Sequence, residues 1–202
     1  MTFPDDCPNE ELVRFIAAGD QQAFEELFDR LSGDVFKLCY SLLLNRQAAE
    51  DATQDTFIKL WRNAENWKPD ATAKTWIMTI ARNRCFDILR KRKNDLKKHQ
   101  DYFADHLSSV SSQKQENALD SQIDHRKHRE TIKNILFTLP ERQREAITLV
   151  YYTEVHNHEA ARIMEMQASA FDSLLARARR NLRDKLGHKG ETLKGELING
   201  TD

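Results

Sequence analysis

Residues 34–186 contain no glycine; the six in the chain are Gly19, Gly33, Gly187, Gly190, Gly195 and Gly200. Sheet proteins turn their hairpins largely through residues at positive φ, above all glycine. A stretch this long without one argues against a hairpin-built fold and leaves helices. The prolines agree, since only Pro69 and Pro140 fall inside the stretch, each where one apolar period stops and another starts. With 202 residues, 40% of them hydrophobic, there is chain enough for one medium or two small cores. The expected fold class is all-α, two small helical domains joined by a flexible linker.

The apolar spacing supports this. Leu12, Phe15 and Ile16, then Phe24, Leu27, Phe28, Leu31, Val35, Leu38 and Leu42 recur at three- and four-residue steps, which is helical periodicity. Breaks or caps are expected at Gly19-Asp20 and at Ser32-Gly33-Asp34. In the next helix Ala49, Ala52, Thr53, Thr56, Phe57 and Leu60 form a stripe to be buried, with Asp51, Gln54 and Asp55 on the opposite face. Residues 63–72 read as a loop around Pro69 and Asp70. A further helix from Ala73 has Ile77, Ile80, Ala81, Arg84, Cys85, Ile88 and Leu89 on its inner face and ends in the basic run Arg90, Lys91, Arg92, Lys93. The first domain is expected over residues 1–93, a polar linker over 94–120, a second domain over 121–186 and a disordered tail over 187–202.

A net charge of -1 conceals a strong asymmetry. Residues 1–60 carry 5 basic and 12 acidic groups, residues 61–100 carry 11 basic and 4 acidic, and residues 173–190 carry 6 basic against Asp184 alone. Two separate basic blocks in a neutral protein point to two contacts with a polyanion. The stretch from Asn157 to Leu186 reads as a helix-turn-helix: a short helix, a turn near Glu165 to Gln167, and a longer helix from Ala168. On that helix Phe171, Leu175, Ala178, Leu182 and Leu186 share one face, while Ser169, Asp172, Ser173, Ala176, Arg177, Arg180 and Arg183 occupy the other. Such a helix presents N-terminal side chains to base edges and later arginines to phosphates.

The segments DQQAFEELFDRL, AAEDATQDTFIKLW, KTWIMTIARNRCFDILRKRK, LPERQREAITLVYY and HEAARIMEMQASAFDSLLARARRNLRDKL, in this order, resemble the successive signatures of extracytoplasmic-function sigma factors of the sigma-70 family. The resemblance covers roughly residues 10–93 and 121–186, as the family's regions 2 and 4, and leaves out the linker and the tail. It implies a transcription initiation factor that binds core RNA polymerase and promoter DNA, both duplex and opened strand, catalyses nothing, and answers to an anti-sigma partner.

The resemblance places core-polymerase binding on Asp51, Gln54 and Asp55, bordered by Ile58 and Trp61. It places recognition of the opened minus-10 element on Trp67 and Lys68 of the loop and on Lys74, Thr75, Arg82 and Asn83 of the following helix. Flat aromatics beside cations suit unpaired bases. Trp76, between Thr75 and Ile77, reads as core. Arg90, Lys91, Arg92 and Lys93 would hold phosphates without reading sequence. The minus-35 element falls to Ser169, Asp172, Ser173, Ala176, Arg177, Arg180 and Arg183. Many family members are more basic there; here Asp172 would accept from a cytosine amino group and repel phosphate, and Leu174 would widen the core stripe.

No cofactor or metal is expected. His156 and His158 lack the H-E-x-x-H spacing and read as residues at a helix start, and His125 and His128 as solvated. Cys7, Cys39 and Cys85 form no C-x-x-C pair and read as reduced thiols. The acidic N-terminus and the absence of a long apolar run point to a cytoplasmic protein with no membrane insertion.

Overall fold

The structure, a computed structural model, describes residues 7–102 and 134–186. The expected linker beyond residue 102, the first part of the second domain with His125 and His128, and the tail over 187–202 lie outside the described residues. Among the described residues every regular element is helical.

Helix α1 spans Asn9–Ala17 and buries Leu12, Val13 and Ile16. Gly19, at φ 88°, turns the chain, a conformation that glycine adopts without steric cost. The Asp20 side chain then accepts from the Ala23 amide at 3.0 Å and starts α2, Gln21–Leu43. The break expected at Ser32-Gly33-Asp34 does not occur. Leu27, Leu31, Val35 and Leu38 keep one buried stripe on both sides of Gly33. Burying that stripe outweighs the ~1 kcal/mol that glycine costs a helix interior.

Leu44, in the left-handed region at φ 53°, ends α2, and the Asn45 side chain caps α3, Arg46–Asn63, by accepting from Ala48 N at 2.8 Å. The buried residues of α3 are Ala49, Ala52, Thr53, Thr56, Phe57 and Leu60, the stripe its spacing predicts. A 3-10 turn over Ala64–Asn66 and a loop lead to α4, Ala73–Tyr102, which runs on past Lys93. Thr72 caps it by accepting from Thr75 N at 3.1 Å. Helices α1 to α4 pack on one another, and Cys39 and Cys85 are buried between α2 and α4.

The C-terminal group begins with a helical stretch over 134–137 and continues, after Pro140, with α5, Glu141–Ile147. A π-helical turn over Thr148–Tyr152 follows, then α6, Asn157–Ile163, and α7, Ala168–Leu186. Glu165, at φ 52°, lies in the turn between α6 and α7, so the helix-turn-helix has its expected form. These elements pack on α2 and α4. Arg144 is buried and donates to the carbonyls of Leu139, at 3.1 Å, and of Ser41 on α2. Lys37 donates to Asp34 at 2.8 Å and to the Tyr152 carbonyl at 2.9 Å.

Candidate nucleic-acid and partner interfaces

The first surface lies on α3. With six residues of the helix committed to the core, Asp51, Gln54, Ile58 and Trp61 stand exposed on its other side. Ile58 is 48% and Trp61 40% exposed. The Trp61 ring meets Phe24 of α2 edge-on, with centroids 5.3 Å apart, and Phe28 meets Phe57 at 4.8 Å. Trp61 is thus held by an aromatic cluster and still presents a flank to solvent. Asp55 is more engaged than its spacing suggests. Arg84 of α4 bridges to it at 2.6 Å, leaving both side chains partly exposed. Arg84, expected on the inner face of α4, is instead partly exposed and turned to Asp55; an ion pair between two helices leaves no periodic trace.

The second surface, expected on the loop and α4, is divided. Lys68, Asn83, Arg90, Lys91, Arg92 and Lys93 are exposed. Trp67 is half-buried against the core and its indole N–H has no hydrogen-bond partner among the described residues. Trp76 is partly buried against the same core, as expected. Lys74 reaches back to Asp34 at 2.7 Å. Burial pushes the Asp34 carboxyl up, but hydrogen bonds and charge from Lys37 and Lys74 carry it, net, below the ordinary carboxylate range. Thr75 and Arg82, expected to face nucleic acid, are 3% and 8% exposed. They are covered by the C-terminal helices. Arg82 Nε pairs with Glu145 of α5 at 2.6 Å, and the Arg82 guanidinium lies 4.5 Å from the Phe86 ring centre. Thr72 and Thr75 donate to Glu159 of α6 at 2.7 and 3.0 Å.

These two carboxylates differ electrostatically. Burial drives the Glu145 carboxyl upward, with Arg82 opposing. Burial also raises Glu159, but the Thr72 and Thr75 hydroxyls, with His158 and His156 nearby, bring it below its usual range. Glu145 is not among the expected site residues, and Glu159 stands out in the sequence only beside His156 and His158, in a stretch without metal-binding spacing. The available signal was an Arg144-Glu145 pair set among Ala146, Ile147 and Leu149.

The third surface is α7. Phe171, Leu174, Leu175, Ala178 and Leu182 are buried, and Ser169, Asp172, Ser173, Ala176, Arg177, Arg180 and Arg183 are all exposed. Leu174 does widen the core stripe. Asn157 donates to the Asp172 carboxylate at 3.1 Å, so this acidic group of the face is steadied from α6. Arg179 stacks over Tyr151, 5.4 Å from the ring centre. His156 precedes α6 without capping it through its side chain, and its ring stacks on His158 at 6.0 Å. Among the described residues no three His, Cys, Asp or Glu side chains gather as a metal site, and no helix is long and apolar enough to cross a membrane.

Two family models match the chain: sigma-70 region 2 over residues 27–94 and sigma-70, region 4, over residues 129–182. Among curated relatives, the ECF RNA polymerase sigma factor SigM of Bacillus subtilis is 29% identical over 159 residues, 79% of this chain and 92% of the relative. SigW of the same organism, also an ECF RNA polymerase sigma factor, is 27% identical over 86% of this chain and 94% of its own. Among solved structures, the sigma factor RpoE of Bartonella quintana, in complex with the anti-sigma factor NepR, is similar with a TM-score of 0.63 and 28% identity, covering 82% of this chain and 97% of that one.

Proposed function

Since the chain belongs to the extracytoplasmic-function group of the sigma-70 family, we propose that its three surfaces divide the work of starting transcription. The α3 face, Asp51, Gln54, Ile58 and Trp61 with Asp55 shared with Arg84, docks on core RNA polymerase. Charge guides the encounter, and the exposed apolar pair supplies burial. The exposed front of α7 reads the minus-35 element in the major groove. Ser169, Asp172, Ser173 and Ala176 lie toward the bases, and Arg177, Arg180 and Arg183 toward phosphates. The loop and α4 take the opened minus-10 strand: Lys68, Lys74 and Asn83 contact it, the free flank of Trp67 offers a stacking surface, and Arg90 to Lys93 hold the backbone, while Thr75 and Arg82, buried under the C-terminal helices, lie outside this surface.

No covalent step is involved. Binding an unpaired strand more tightly than the duplex shifts the melting equilibrium by the difference in affinity. The observation that carries this reading is the α3 face, where two large apolar side chains stay exposed beside acidic and amide groups. A duplex-binding repressor acting alone has no use for such a face. An anti-sigma partner, of the kind bound to the Bartonella relative, would act by covering these surfaces. Run-off transcription with purified core polymerase and fragments of the source genome tests the proposal. Discrete promoter-dependent products are expected only when the chain is added, and their absence from every fragment would refute it.

A further inference from the structure

Helix α1 lies outside residues 27–94, the stretch that the region 2 model matches, yet it touches both ends of the loop that carries Trp67 and Lys68. It packs against the 3-10 turn Ala64–Asn66 and against the start of α4. At the near end of the loop Trp67 N donates to the Ala64 carbonyl at 3.2 Å. At the far end Ala73 N donates to Glu10 Oε1 of α1 at 2.9 Å. Ala73 opens α4, so its amide belongs to the first turn, which has no acceptor within its own helix. Ala73 is fully buried, and the Thr72 side chain serves a different amide, that of Thr75. Glu10 therefore supplies the oxygen for the Ala73 amide, and its negative charge stands at the positive end of the α4 dipole.

Glu10 is itself firmly seated. Leu12, Val13 and Ile16 bury one side of α1, and Arg30 of α2 donates to the Cys7 carbonyl just ahead of the helix at 2.5 Å. Between the two anchored ends of the loop, Lys68, Pro69 and Asp70 are exposed. An exposed loop must be ordered when it takes a ligand, and fixing its ends beforehand lowers that cost. We propose that Glu10 is a positioning residue for strand capture: by holding the Ala73 end of the loop it keeps Trp67 and Lys68 in the arrangement that accepts an unpaired strand. The proposal rests on the reading of the loop given above and adds to it a residue that touches no nucleic acid.

Glu10→Ala takes the acceptor away from a buried amide, which favours a shift of the loop end toward water. The apparent affinity for an opened strand then falls with the fraction of chains whose loop remains competent, about fivefold if that fraction drops from most of the population to about a fifth. Glu10→Gln loses the charge but keeps a side-chain oxygen as acceptor, and should recover most of the affinity. The exposed α3 face and the front of α7 share no hydrogen bond with Glu10, so polymerase docking and duplex reading should hold.

Two DNA probes cut from a promoter mapped by run-off transcription test this, each titrated with core polymerase carrying the full-length chain. One has its minus-10 stretch held open by mismatched bases, and the other is a duplex that ends upstream of that stretch. Glu10→Ala should bind the open probe about fivefold more weakly and the duplex probe within about 1.5-fold of the unaltered chain, and Glu10→Gln should stay close to the unaltered chain on both. An equal loss on both probes marks a general defect and would overturn the positioning role. Hydrogen exchange over residues 67–76, measured on the chain alone, keeps the test open if Glu10→Ala fails to load onto polymerase: exchange should quicken in this variant and not in Glu10→Gln, and unchanged exchange would overturn the tie. A Trp67→Ala/Lys68→Ala chain separates the two claims, with about tenfold weaker binding expected on the open probe. Loss there with none in Glu10→Ala overturns the role of Glu10 and leaves the loop as the strand site. No loss in the double variant overturns the loop reading, and the role of Glu10 with it.

Discussion

Truncating Trp61 to alanine removes the largest exposed apolar group of the α3 face, and its effect on polymerase binding follows from its exposure. The side chain is 40% exposed. Taking ~250 Å² for a fully buried tryptophan, docking would remove about 100 Å² from water. At ~25 cal/mol per Å² this is about 2.5 kcal/mol, or roughly 50-fold in Kd. That is the size expected of an aromatic anchor at the centre of an interface. Incomplete coverage by polymerase would reduce the loss to about tenfold. The edge contact with Phe24 is lost as well, so the variant is first checked by far-UV circular dichroism and thermal melting. Binding is then measured by fluorescence anisotropy with labelled chain and core polymerase. Trp61→Phe should recover most of the affinity. A folded Trp61→Ala variant that binds within about threefold of the unaltered chain would refute the placement of the docking face.

Other perturbations test the remaining surfaces and the fold. Arg177→Ala with Arg180→Ala should weaken binding of the polymerase complex to promoter duplex and lower the slope of log K against log salt by about 2, as two phosphate contacts are lost; filter binding across a salt series reads this, and an unchanged slope would remove these arginines from the phosphate contacts. Gly33→Ala should raise the melting temperature, with a gain of ~0.5–1 kcal/mol, because a Cβ there meets nothing within 4 Å and α2 is unbroken; a loss of stability would contradict the continuous helix. Asp34→Asn should cost about 1–2 kcal/mol near neutrality. Because the Asp34 carboxyl lies below its ordinary value, its contribution is present above an unfolded value of about 3.9 and fades as pH falls through the folded value. Urea melts of the two chains should therefore converge in acid, and a gap that widened instead would reverse the sign assigned to Asp34.

Local periodicity made the helices and their faces legible. All six residues expected to be buried on α3 are buried, and the seven expected on the front of α7 are exposed. Each such face depends on residues three or four apart in one element. Gly33 misled for a physical reason, since glycine is a weak helix former but its cost is small beside that of exposing an apolar stripe. The burial of Thr75 and Arg82 was not legible at all. Their partners Glu159 and Glu145 lie 84 and 63 residues away in sequence, and nothing in the spacing of α4 records which outside element will cover it. The pairing of Asp55 with Arg84, on another helix, went unread for the same reason. Trp67 was half-legible: its place in a polar loop was clear, but the packing of its ring on the core depends on how the loop folds back.

Permanganate reactivity of promoter thymines tests the central claim most directly, because it reports unpaired bases at the promoter itself. With core polymerase and this chain together, thymines in a stretch around the minus-10 element of a mapped promoter should become reactive, and with either component alone they should stay protected. Reactivity produced by polymerase without the chain, or protection when both are present, would contradict the account.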